Sequence, residues 1–261
     1  VSKRQGGTAR QYVPYVQHCH QAAPRTLAHG ESIYESLFIA AGRGGWDVAE
    51  PGHYVIQAVL HGDEGDVVSN PLVLRVAPPR GFEEEDLAQD FFSDDVGRVL
   101  AFDGSRYLES ANDVLRETTE RLGDRRVALH AHVALGRALA RPHKLLHLRE
   151  GPFDRLTAAH LADGRIEVAE PRVEDARHAL HAALTEQLEP AAESLGHIDF
   201  KFYADRFSDW LDEQGAADEA AKVQEELLLT LSARGVLDRV LHEIEQRVKR
   251  YGRPAPARKT P

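Results

Sequence analysis

The sequence contains no methionine and a single cysteine, Cys19, and none of its apolar runs approaches the roughly 18 residues that cross a membrane. One cysteine excludes an internal disulfide framework, which fits a reducing compartment or an exported bacterial protein built without bridges. A chain that opens on Val1 and holds no methionine is expected to be a piece of a longer protein. No charged stretch followed by an apolar one opens it, so no leader is read there, and no membrane span is expected. The localisation expected is exported or cell-surface, with cytoplasm as the alternative.

Catalytic signatures are also missing. There is no HExxH of a zinc peptidase, no GxSxG elbow, no GxxxxGK[ST] phosphate loop, no CxxC and no GxGxxG. The expectation is therefore a chain without enzymatic activity and without a cofactor. A formal net charge of −10 opposes binding to a phosphate backbone, and no segregated basic face offsets it, so nucleic acid is not an expected partner. The sequence carries no signal for oligomeric state.

What is present is organised around Glu50–Pro79, EPGHYVIQAVLHGDEGDVVSNPLVLRVAPP. Tyr54, Ile56, Ala58 and Leu60 alternate along one run, and Val68, Leu72, Leu74 and Val76 along a second. A period of two places each set on one side of an extended chain, so two half-buried strands are predicted. The polar link HGDEGD predicts a hairpin with a loop longer than a two-residue turn. Pro51 fixes the turn before them, Gly52 frees the next backbone position, and Tyr54 can bury its ring while its hydroxyl bonds back to the corner.

This stretch resembles the final two strands of a bacterial immunoglobulin-like or fibronectin-III-like domain, with Pro78–Pro79 closing the last strand and the likeness covering Thr26–Pro79. The resemblance implies a β-sandwich, but only about four strand candidates precede Arg80 where a complete sandwich has roughly seven. Two of them are Arg10–His20, demoted to an edge strand by Pro14, and Ser32–Ala41. Residues 1–79 are thus expected to form an antiparallel sandwich incomplete at its N-terminal side. Trp46 is read as core or sandwich-rim packing.

After Pro79 the apolar period becomes helical. Glu83–Asp86 place four acids at a helix start, where they complement that terminus. Helical stripes follow: Leu108, Ala111, Leu115, Thr118 and Leu122, then Val127, Ala131, Ala134, Leu135 and Ala138, with further helices from Val173 to Val248. Arg141–Arg172 is the irregular part, broken by Pro142, Gly151–Pro152 and Pro171 and expected to hold a short helix, a second near Phe153–Leu161 and an extended GRIEVAE. Phe207–Leu231 resembles one tetratricopeptide hairpin, through Phe207, the small Ser208, the turn glycine Gly215 and Ala220. Ala204, Leu227 and Ser232 depart from that pattern, and no second copy follows. The fold class expected is segregated α+β, with a helical bundle or hairpin array over residues 80–251 and a disordered tail over 252–261.

With 14 histidines, metal sites have to be weighed. Helical spacing puts Glu174, His178 and His181 on one face, the candidate metal set, although that face lies opposite the apolar stripe of Ala176, Leu180 and Leu184. His143 and His147 are four apart, and His18 and His20 alternate around Cys19. Asp94, Asp95 and Asp103 are a candidate carboxylate cluster that helix capping explains equally well. The leading expectation is a non-enzymatic protein-binding or scaffold protein of bacterial type, with a protein partner met through helix grooves or a sandwich edge. The alternative is the accessory C-terminal region of an exported hydrolase whose catalytic domain lies upstream. A second alternative is a histidine-metal site in the helical part.

Overall fold

The computed structural model describes residues 2–3, 9–15, 26, 29, 36–62, 65–147, 165–186 and 188–258. Seven of its described strands precede the first helix and two more fall between helices, a mixed α+β class. Strands β1 (Ser2–Lys3), β4 (Gly52–Ile56) and β7 (Leu72–Val76) form a three-stranded antiparallel sheet with β4 in the centre. Strands β2 (Ala41–Gly42) and β3 (Gly45–Trp46) pair as a tight hairpin, and β5 (Val59–Gly62) pairs with β6 (Gly65–Val68). A sandwich of two packed sheets is not formed among the described residues.

The expected hairpin is there, with two differences. Its ladder runs through the polar link as far as Gly62 opposite Gly65, so residues 63–64 alone connect the strands. Between the two ladders the register changes by one residue. Ile56 faces Leu72, while Val59 faces Val68, leaving 57–58 on one strand opposite 69–71 on the other. One extra residue on one strand reverses the alternation beyond it. Leu60 accordingly faces Val67 rather than continuing opposite the Val68 set. Pro71, which lacks an N–H, sits within this offset.

The corner at Pro51 is as the residue types dictate. Gly52 has φ of 152°, Tyr54 is buried, and its hydroxyl donates to the Glu50 carbonyl at 2.7 Å. The two earlier strand predictions fare differently. Residues 9–15 and 36–40 carry no strand and Ala41 opens β2, while residues 16–20 and 32–35 lie outside the described residues. Trp46, expected in core or rim packing, packs against the smaller apolar core of the helices. It donates from Nε1 to the Ser93 carbonyl at 2.8 Å and sits against Phe91 and Phe92, so β2–β3 is fastened to the helices.

The helices are α1 (Phe82–Phe91), α2 (Asp94–Ala101), α3 (Glu109–Arg121), α4 (Arg126–Leu139), α5 (Val173–Leu184), α6 (Leu188–Glu213), α7 (Ala217–Ala233) and α8 (Asp238–Arg250). Glu83, Glu84 and Glu85 fill the first turn of α1, where their charge complements that terminus, and Glu84 accepts from the Arg80 N–H just before the helix at 2.5 Å. Helix α6 is broken by Gly196 at φ 71°, ψ 163°. In place of the short helix expected after Arg141, His143–His147 (β8) pairs with Arg165–Ala169 (β9), the GRIEVAE segment; the helix expected near Phe153–Leu161 lies outside the described residues.

Each helix from α3 onward packs on its neighbour in sequence. Two apolar clusters result, and α4 serves both. Leu129 and Val133 face a large core shared with α5 to α8, while Ala131 and Ala134 face a smaller one made with α2 and α3. An amphipathic surface helix has one apolar stripe; α4 has two because it is buried nearly all round. Gly136 makes this approach close, since a Cβ there would stand 2.7 Å from Leu180 Cγ.

The tail, predicted as disordered, lies on the helices as far as it is described. Arg253 pairs with Asp218 at 2.9 Å, Arg258 with Glu245 at 2.7 Å and Asp238 at 2.6 Å, and Ala255 packs on the large core.

The turn after α2 is the least forgiving point. Gly104 has φ of 108°, and a Cβ there would lie 2.2 Å from the Ala134 carbonyl oxygen. Gly104→Ala is expected to destabilise the fold by about 2 kcal/mol or more, through backbone strain and overpacking against α4. Urea unfolding followed by circular dichroism checks this, and an unchanged midpoint would show that the junction yields freely.

Candidate functional site

The histidine set does not assemble. Glu174 and His178 are exposed on α5, while His181 is half-buried against α7. The His181 Nδ1 meets Thr185 Oγ1 at 2.8 Å, its Nε2 meets Glu219 Oε2 at 3.4 Å, and its ring stands edge-on to Phe207. Both nitrogens are thus engaged, Nδ1 at the C-terminal end of its own helix and Nε2 across to α7. Burial raises the Glu226 carboxyl beside it above its ordinary range. Among the described residues no group of three or more His, Cys, Asp or Glu is placed to hold a metal ion.

Other spacings fail for reasons of geometry. His143 and His147 lie on a strand, where four residues span about 13 Å, too far for one ion. His143 instead contacts the Ala138 carbonyl at 2.7 Å, and His147 pairs with Glu167 at 3.0 Å. His18, Cys19 and His20 fall outside the described residues. Asp94 and Asp95 pair with Arg98 one turn along α2, while Asp103 turns away to other partners, so the three carboxylates do not form a cluster.

Those partners build a site that the motif search missed. Asp103 has φ of 55°, an uncommon conformation outside glycine, and it accepts from Arg137 Nη1 at 2.7 Å and from the Tyr203 hydroxyl at 2.8 Å. This joins the α2–α3 turn, α4 and α6. Arg137 is buried, and its guanidinium lies near the rings of Phe202 and Tyr203, 5.3 and 5.1 Å from their centroids. Burial, followed by the charge of Asp103 and its hydrogen bond, pushes the Tyr203 phenol far above its usual range.

Beside this triad a cleft of about 260 Å³ opens between the C-terminal end of α4 and the middle of α6. Arg137, Arg141, Arg206, Tyr203, Phe207 and Trp210 are among its walls. Trp210 donates from Nε1 to the Ala140 carbonyl at 3.2 Å, satisfying one of the orphan acceptors at the end of α4, and its ring stacks on Phe207. The signal available in the sequence was Arg137 itself, a charge inside the otherwise apolar LGRAL. Its partners, 34 residues earlier and 66 later, carry no mark of their own.

Comparison with family models, with curated proteins and with solved structures returns no match. The chemistry of the chain therefore rests on its own geometry. The described residues hold no helix long and apolar enough to cross a membrane.

Two substitutions test the triad. Asp103→Ala leaves a buried guanidinium without its carboxylate and is expected to cost about 3 kcal/mol. Tyr203→Phe loses one charge-assisted hydrogen bond, about 1.5 kcal/mol. The phenol is held neutral in the fold, so its contribution is fully present below the unfolded value near 10 and is lost as pH rises towards the higher folded one. Urea midpoints of the wild type should accordingly fall above about pH 10 more steeply than those of Tyr203→Phe. Parallel curves would remove the phenol from the account.

Proposed function

We propose that this chain is a non-enzymatic protein-binding module of bacterial type that takes up a strand of a protein partner along its N-terminal hairpin. The reading treats residues 26–79 as immunoglobulin-like and the helices that carry them as a hairpin array with a tetratricopeptide-like pair at α6–α7. The tyrosine corner of Tyr54 and the turn glycine Gly215, at φ 81°, support those two likenesses.

One observation carries the proposal. The hairpin leaves Val59, Leu60, Val67, Val68, Leu72 and Val73 at least 46% exposed, on strands where half-burial was expected. Each of β5 and β6 has one described neighbour, so each leaves its outer backbone edge unpaired among the described residues. Apolar side chains beside unpaired N–H and C=O groups suit strand addition, where the backbone supplies affinity and the side chains specificity. Isolated apolar residues on a surface are ordinary, whereas a contiguous run on one ribbon is a mark of an interface.

The test uses photo-crosslinking side chains at Val59 and Val68 in the full chain, with hydrogen exchange on the captured complex. Capture of a distinct protein, with protection gained at residues 59–68, is the expected result. The pair Leu60→Lys and Val67→Lys, both at solvent, should reduce capture about tenfold or more without changing the unfolding midpoint. Capture unaffected by that pair, protection elsewhere, or a crosslink to a second copy alone would overturn the reading.

A further inference from the structure

A second surface, independent of the hairpin, has the opposite character. The cleft between α4 and α6 is lined by three guanidinium groups on a chain whose formal net charge is −10. Arg137 is neutralised by Asp103. Arg141 and Arg206 have no carboxylate within 4.0 Å among the described residues, although the protein has an excess of acids to offer. Arg206 lies over the Phe202 ring at 5.6 Å. Partial burial and then the charge of Arg137 depress the Arg141 guanidinium, Asp103 opposes them, and Arg206 adds a smaller push in the same direction, so Arg141 and Arg206 are near enough to repel each other.

Helix electrostatics accounts for part of this arrangement. The negative end of the α4 dipole favours cations, which suits Arg137 and Arg141. It does not call for Arg206, which comes from the interior of α6. Two carboxylates also line the cleft, and one is already engaged: Asp209 binds Arg247 at 2.6 Å and Arg250 at 2.9 Å. Glu213, at the exposed end of α6, is the remaining one.

We infer that this cleft is a binding site for a small aromatic anion, whose phosphate or carboxylate is held by Arg141 and Arg206 and whose ring lies along Trp210 and Tyr203. Guanidinium groups present planar pairs of donors that match oxyanions, and an oxyanion here relieves the repulsion between Arg141 and Arg206. Arg137, fixed by Asp103 and flanked by two rings, is the rigid back of the site rather than a free donor. A volume of about 260 Å³ accommodates one ring with its oxyanion and little more.

The experiment titrates the full chain with phenyl phosphate, benzoate and inorganic phosphate, following the two tryptophan indole N–H signals by NMR. The Trp210 signal is identified by its loss in Trp210→Phe. Saturable binding of phenyl phosphate that moves Trp210 and leaves Trp46 in place is expected, with benzoate also bound and inorganic phosphate weaker than phenyl phosphate. Arg141→Ala and Arg206→Ala, both at exposed positions, should each weaken it by about tenfold. Glu213→Gln, which removes the uncommitted carboxylate, should tighten it. Retained circular dichroism and unfolding midpoints establish that the arginine variants are folded. Affinity unchanged in both arginine variants, a shift confined to Trp46, or no saturation would overturn the site. Equal binding of phenyl and inorganic phosphate would overturn the role given to the ring.

Discussion

The buried guanidinium of Arg137 is the constraint on which the helical part depends. A charge in that position is tolerable because Asp103 meets it and Phe202 and Tyr203 flank it; without them, desolvation would oppose the fold. To reach Arg137, Asp103 must adopt a left-handed backbone, and the next residue must be glycine because the chain passes against the Ala134 carbonyl. Tyr203 then brings α6 to the same point. One ion pair thus fixes how the α2–α3 turn, α4 and α6 meet, and the small and large apolar clusters are held on either side of a single helix.

Polar contacts deeper in the array act in the same direction. Gln224 of α7 is fully buried and donates to Asp205 Oδ1 at 3.0 Å and Ser208 Oγ at 2.8 Å on α6. Arg247 of α8 reaches the Asp205 carbonyl at 3.0 Å. Such contacts contribute less to net stability than the burial of Phe200, Phe207 and Leu228 around them, but they discriminate between helix registers that apolar packing alone would tolerate. The wall of the cleft that α6 provides is therefore set from both of its sides, by Arg137 towards α4 and by Gln224 and Arg247 towards α7 and α8. A site built on such elements is held in place before any ligand arrives.

The legible part of the sequence was the part governed by periodicity and by turn chemistry. Alternation located the hairpin, Pro51–Gly52–Tyr54 located its corner, and helical stripes located α3, α4 and α8 within a few residues. Periodicity does not report an inserted residue, so the offset at 69–71 and the reversal of Leu60 and Val67 were invisible. Nor does it report whether a predicted apolar face finds a partner, which is why Tyr54 is buried as expected while Leu60, Val68 and Leu72 of the same two runs stand at solvent. The metal candidate failed for a related reason. Spacing put Glu174, His178 and His181 on one helix face, but the ligands of an ion must converge, and α7 draws His181 away to Glu219. The arginine cleft was unreadable because its members lie on α4, after it and on α6, at no spacing that a motif could express.

The net charge of the chain bears on how an anion could reach that cleft. A protein at −10 repels an anion at long range, the reverse of the steering that basic proteins give nucleic acids. The repulsion reaches only about 8 Å at physiological ionic strength, because salt screens exposed carboxylates beyond that distance. Arg141 and Arg206 act inside that distance, at a partly desolvated wall where each guanidinium is screened less than a surface charge. Long-range field and short-range site thus have opposite signs. The arrangement disfavours polyanions, which would have to bring a whole run of charge across the acidic surface, relative to a single small anion that carries one charged group. Net composition argues against a nucleic-acid surface and is compatible with a small oxyanion site, because the two depend on charge counted over different distances.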